Sequence, residues 1–123
     1  HAVFNGKIVV ARHAQRTDSA QSARGLLLSD RARVDITPEL EIEADDVKCA
    51  HGAAIGQIDA DQLFYLKSRG LDEAGARDLL TYAFAAEVID RLPLASLRKQ
   101  LRAVVVGRTD HHRKEAEAQE VPA

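Results

Sequence analysis

Hydrophobic and polar residues alternate along the first half of the chain and recur at three- and four-residue steps along the second. In "FNGKIVVA" the Asn5-Gly6 pair is a strong turn signal, followed by the apolar run Ile8, Val9 and Val10. "RHAQRTDSAQSAR" is polar and short of large apolar residues, which predicts a loop or solvent-facing stretch before the short run "GLLLS". "RARVDIT" puts Ala32, Val34 and Ile36 on one face and Arg31, Arg33, Asp35 and Thr37 on the other, and Pro38 is expected to break the run. "ELEIEAD" repeats the alternation, with Leu40, Ile42 and Ala44 inward and Glu39, Glu41, Glu43 and Asp45 outward. The Arg-bearing and Glu-bearing faces complement each other if these strands are neighbours. Short strands with small residues near the corners suit an antiparallel sandwich or a β-helix. No strict internal repeat at a fixed period selects between them.

The period changes at Asp59. "DADQ" predicts a helix N-cap with Gln62 at the capping-box position, a short helix carrying Leu63, Phe64 and Leu66, and Gly70 just past its end. A second helix is expected from Asp72, with Glu73 in its first turn and a stripe through Ala76, Leu79, Leu80, Ala83, Phe84, Val88 and Leu92, read as core. Pro93 stops it. Leu94, Leu97, Leu101, Val104 and Val105 predict a third helix ending near Gly107. The tail, 108–123, has almost no large apolar residue and is expected to be disordered, with His111 and His112 solvated.

Composition narrows the function classes. The 123 residues are 46% hydrophobic, 29% charged and 4% aromatic, an ordinary globular balance whose core must be aliphatic. A formal charge of −2 with mixed signs supplies no basic field and argues against nucleic acid as a partner. No stretch nears the ~20 apolar residues of a membrane helix. The single cysteine precludes an internal disulfide, so a reducing compartment fits, with the cytoplasm as the default. The chain begins with His and contains no methionine, which suggests a fragment.

That cysteine, Cys49, stands two residues before His51 in "ADDVKCAHGAAIG". In a strand the two share a face with Val47, opposite Lys48 and Ala50, and lie ~6.5 to 7 Å apart along the backbone. A thiol enzyme with Cys49 as nucleophile and His51 as base has poor geometry, because parallel side chains do not converge and no third orienting group is apparent. A purely structural role, with Cys49 as a small hydrophobe and His51 satisfying a corner hydrogen bond, is the plain alternative.

The stretch "PELEIEADDVKCAHGAAIGQIDADQLFYLKSRGLDEAGARDLLTYAFAAEVIDRLP" resembles the C-terminal part of the SufB/SufD family, the non-ATPase subunits of the SUF iron–sulfur cluster assembly scaffold. "ADDVKCAHG" and "LFYLKSRG" are its most specific pieces, and the likeness covers roughly residues 3–106. It is closer to SufD-like members, since the SufB-like form tends to have a glutamate where Gly52 stands. The resemblance implies a mixed fold, β then α: the last turns of a right-handed parallel β-helix over 1–58, then a small C-terminal helical domain over 59–107. It implies a scaffold and not an enzyme, and the phosphate-cradling glycine loop of an ATPase is absent from the sequence. The expected partners are a SufB-type subunit, met through the β-helix, and a SufC-type ATPase, met through the helices by exposed residues such as Tyr65 and Arg69. His51 matches the interface histidine, a candidate metal ligand or proton carrier, and Cys49 a cysteine near it. A cluster needs about four ligands, so this chain alone is expected to hold none, the cluster forming transiently at the interface. Uncapped strand edges also lead us to expect that the isolated chain forms a homodimer.

Overall fold

The computed structural model describes residues 1–119, with side chains through Asp110. The chain divides into two compact units, 1–57 and 58 onward. The first contains strands only: β1 (Ala2–Val10), β2 (Asp18–Leu27), β3 (Val34–Ile42) and β4 (Lys48–Gln57). The second contains helices only: α1 (Ala60–Ser68), α2 (Glu73–Ile89) and α3 (Ala95–Gln119).

All pairing among the described strands is parallel, which removes the antiparallel sandwich. β1 pairs with β3, from Ala2 opposite Val34 to Val10 opposite Ile42, a constant offset of 32 residues. β2 pairs with β4, from Asp18 opposite Lys48 to Leu27 opposite Gln57, an offset of 30. The chain therefore makes one strand–corner–strand pass and lays a second directly on it. The corners stack as well: the Arg16 N–H donates to the Asp46 carbonyl (2.6 Å), the Asp46 N–H to Gln15 Oε1 (2.9 Å) and the Lys48 N–H to the Thr17 carbonyl (2.8 Å). Arg16 reaches this geometry at φ 63°, a left-handed conformation that costs a non-glycine residue on the order of 1 kcal/mol. Val10 and Ala44 are buried where the chain enters the two corners, after β1 and after β3.

Four sequence expectations change here. Asn5-Gly6 is not a turn but the middle of β1, where Gly6 gives way to the Gln21 side chain from β2. The polar segment around Asp18–Ala23 is not a loop but most of β2. Its Ser19, Gln21 and Ala23 alternate as half-buried residues with exposed Asp18, Ala20 and Ser22, and β4 supplies the backbone partners. Pro38 does not break β3; each strand of a two-stranded pair has one free edge, and a proline nitrogen turned to it costs the ladder nothing. The acidic outer face of β3 is met by Lys7 of β1, which pairs with Glu41, while Arg33 pairs with Asp35 (3.1 Å) and Arg31 lies in a turn before the strand. Glu41 raises the pKa of the Lys7 ammonium through that contact.

In the helical unit the caps match the sequence reading. Asp59 accepts from the N–H groups of Asp61 (2.8 Å) and Gln62 (3.0 Å), and Asp72 from that of Gly75 (2.9 Å). Gly70, at φ 97°, closes α1, its N–H bonded to the Lys67 carbonyl while the Leu71 N–H reaches Leu66. Lys67 and Glu73 bridge the α1–α2 connection at 2.7 Å, which holds the Glu73 carboxyl below the usual carboxylate range. Arg98 donates to the Leu92 carbonyl and Arg102 pairs with Asp90, tying α3 to the end of α2.

Two readings of the helices need correction. The stripe on α2 is only partly core: Ala76 is fully buried and Leu80, Phe84 and Leu92 half-buried, but Leu79, Ala83 and Val88 are exposed, and Ile89, outside the stripe, is buried. α2 packs on α1 and α3, which together cover less than its whole apolar arc. Gly107 does not end α3, which continues to Gln119 where disorder is expected. One interior glycine costs a helix only ~1 kcal/mol, and the Lys114-to-Gln119 run consists of strong helix formers. The side chains of His111 and His112, and all of residues 120–123, lie outside the described residues.

Candidate functional site

Cys49 and His51 occupy β4, the later strand of its pair. Their register partners on β2 are Ser19 and Gln21, and directly opposed residues of a parallel pair project to the same side. That side faces the β1/β3 pair: a methyl group built on Gly25 of β2 would sit 2.8 Å from Val34 Cγ1, 3.5 Å from Ile36 Cδ1 and 3.7 Å from Ile55 Cγ1. Along β4, Cys49 is half-buried and its thiol free, whereas His51 and every later residue of the strand are exposed. The cysteine is thus partly covered by the fold, and the imidazole stands open to a contact.

No hydrogen bond joins Cys49 to His51 among the described residues, and no group of three or more His, Cys, Asp and Glu side chains gathers there into a metal site. A nucleophile-and-base reading lacks its defining contact, and any metal would need ligands from elsewhere.

The helical unit places Tyr65 and Arg69 on one exposed face of α1, the Arg69 guanidinium 5.2 Å from the Tyr65 ring centroid. Beside them lies an open apolar groove of about 490 Å³, lined by Asp61, Gln62, Tyr65, Leu66, Leu79, Leu80 and Ala83. Leu63 and Leu66 are half-buried as expected, but Phe64, expected to pack on the longer helix, is 74% exposed because it falls on the outer side of α1. Sequence reading also missed Gln21 and Ser19; the period-2 alternation of small residues in "DSAQSAR" was their available signal.

The strand unit is thus a stack of parallel strands with an exposed imidazole and a half-buried thiol on β4, and a capped helical unit follows it in the chain. The family model of the SUF-system iron–sulfur cluster assembly SufBD core domain matches residues 1–84, and the chain belongs to this SufBD family. It is 54% identical over 108 residues to a SufBD family iron–sulfur cluster assembly protein of Synechocystis, covering 88% of this chain and 24% of that protein. Against SufD of Escherichia coli the identity is 50% over 102 residues, 83% of this chain and 24% of the relative. Against the chloroplastic protein ABCI7 of Arabidopsis thaliana it is 50% over 106 residues, 86% and 22%. The chain thus spans about a quarter of the length of these relatives. Among the described residues no helix is long and apolar enough to cross a membrane.

Proposed function

We propose that the chain forms the closing turns of a right-handed parallel β-helix and the helical module of a SufD-like subunit, a scaffold in SUF iron–sulfur cluster assembly and not an enzyme. The observation that carries this reading is the 50% identity to SufD of Escherichia coli over 102 residues, a length that must take in both units. The constant offsets of 32 and 30 residues support a β-helix, and parallel crossovers of this kind are right-handed in nearly all proteins.

In this reading the end of the β-helix pairs with a SufB-type subunit, and His51 and Cys49 face the cluster under construction. A neutral imidazole binds iron or carries a proton near neutral pH, and a half-buried thiol adds one ligand at most. The remaining ligands come from the partner, so the cluster is cargo at the interface and the isolated chain holds none. The α1–α2 face, with Tyr65, Arg69 and the groove, docks a SufC-type ATPase. The isolated chain self-associates through its open strand edges, and the native setting is the cytoplasm or an equivalent reducing compartment.

The test is co-expression of the full-length protein with SufB-type and SufC-type subunits, with and without His51→Ala. A complex that forms normally but accumulates less cluster supports the reading; failure of the folded protein to bind either subunit overturns it.

A further inference from the structure

We infer that α1 carries a self-complementary contact: a second copy of the chain lies antiparallel against it, Asp61 of each copy pairing with Arg69 of the other about a two-fold axis at Tyr65. The contact covers the α1–α2 groove and so competes with the ATPase, a consequence that rests on the reading of that groove as the ATPase-docking face.

Asp61, Tyr65 and Arg69 follow one another at four-residue steps, so they form a single row along α1, and all three are exposed. At 1.5 Å per residue the row has a carboxylate at one end, an aromatic ring at its midpoint and a guanidinium ~12 Å from the carboxylate at the other end. Turned end for end, the row presents the opposite charge to each charge it meets. Neither charge is used within the chain: among the described residues the Asp61 carboxylate and the Arg69 guanidinium take part in no ion pair, whereas Lys67 pairs with Glu73 and Arg102 with Asp90. The Arg69 guanidinium instead lies over the Tyr65 ring, 5.2 Å from its centroid, which holds it in the row.

Apolar surface lies beside the row. Tyr65 is 55% exposed and Leu79 46%, and both line the groove with Leu66, Leu80 and Ala83. Two Tyr65 rings that meet on the axis shield this surface from water in both copies, and the charge pairs at the rim fix the direction of approach. The other exposed apolar stripe of the helical unit is a poorer match. On α3, Leu97 and Val104 stand among Arg98, Lys99, Arg102 and Arg108, with no acidic residue from 95 to 109, so α3 answers Asp61 but sets like charge against Arg69. A second α1 answers both. Such a contact uses the same patch on each copy, so each substitution in the row acts twice.

The experiment follows self-association of the full-length protein by sedimentation over a concentration series, with folding checked by circular dichroism. Asp61→Arg and Arg69→Asp should each lower the association constant at least about tenfold, because each sets like charges against one another at both pairs. Mixing the two variants should restore association, since the row of one copy then carries two cations and that of the other two anions. If the reversed charges fray α1, Asp61→Asn and Arg69→Gln take their place, and each should weaken both the association and its salt dependence. A monomeric wild type, folded variants that associate as the wild type does because only strand edges meet, or a mixture no tighter than its components overturns the inference. Addition of the SufC-type ATPase to the wild type should dissolve the contact. A charge-dependent dimer that persists with the ATPase bound would instead remove the ATPase from the α1–α2 face and overturn that part of the proposed function.

Discussion

Gly25 of β2 and Val34 of β3 meet so closely that a methyl group on the glycine would stand 2.8 Å from Val34 Cγ1. Val34 is β-branched and stiff at χ1, so it yields little. Gly25 is therefore a position of close approach between the two strand pairs. Gly25→Ala should destabilise the strand unit by about 1–3 kcal/mol, the usual cost of overpacking. Gly56→Ala, whose added carbon would meet nothing within 4 Å, is the control and should change stability by less than about 1 kcal/mol. Denaturant midpoints of the two variants measure the contrast; equal midpoints would contradict the packing described.

Asp59 satisfies two N–H groups at the start of α1. Asp59→Ala should cost about 1 kcal/mol, and Asp59→Asn, which retains the accepting oxygen, much less. Amide hydrogen exchange in the first turn of α1 should accelerate in the alanine variant alone.

Lys67 depresses the Glu73 pKa, so the sign of its acid response follows. The pair contributes in full above the ordinary carboxylate pKa of ~4.3 and is lost as pH falls through the lower folded value. Both side chains are about half exposed, so the effect is modest and weakened by salt. Glu73→Gln should lower stability slightly at neutral pH, leave it unchanged below the folded pKa of Glu73, and so flatten the acid limb of the stability profile. An unaltered acid limb would mean that the pair is not formed in solution.

If the α1–α2 groove docks the ATPase, charge placed at its open wall should weaken docking without unfolding the helices. Leu79 is 46% exposed and lines the groove, so Leu79→Glu should reduce SufC-type binding at least about tenfold while the melting temperature moves little. Val88→Glu, at a site 63% exposed and outside the groove, is the comparison. Binding lost in both or in neither would detach the groove from the ATPase.

Local features were legible from the sequence because their causes are local. Asp59, Asp72 and Gly70 act within a few residues of themselves, and each does what its residue type predicts. The alternation through Val34, Ile36, Leu40 and Ile42 revealed a strand for the same reason: side-chain period is a property of one strand. The shared face of Cys49 and His51 needed nothing more than that period, and the motif around them carried the family resemblance.

What the sequence could not contain was decided by neighbours 30 and 32 residues away. Asn5-Gly6 reads as a turn until Gln21 arrives to fill the space that glycine leaves; "DSAQSAR" reads as a loop until β4 takes up its backbone groups. Parallel pairing, the exposure of Leu79 and the register that sets Gln21 opposite His51 all depend on which surfaces meet. A hydrophobic pattern records which residues favour burial, but whether a surface is covered depends on packing between distant segments, and only the folded chain determines that.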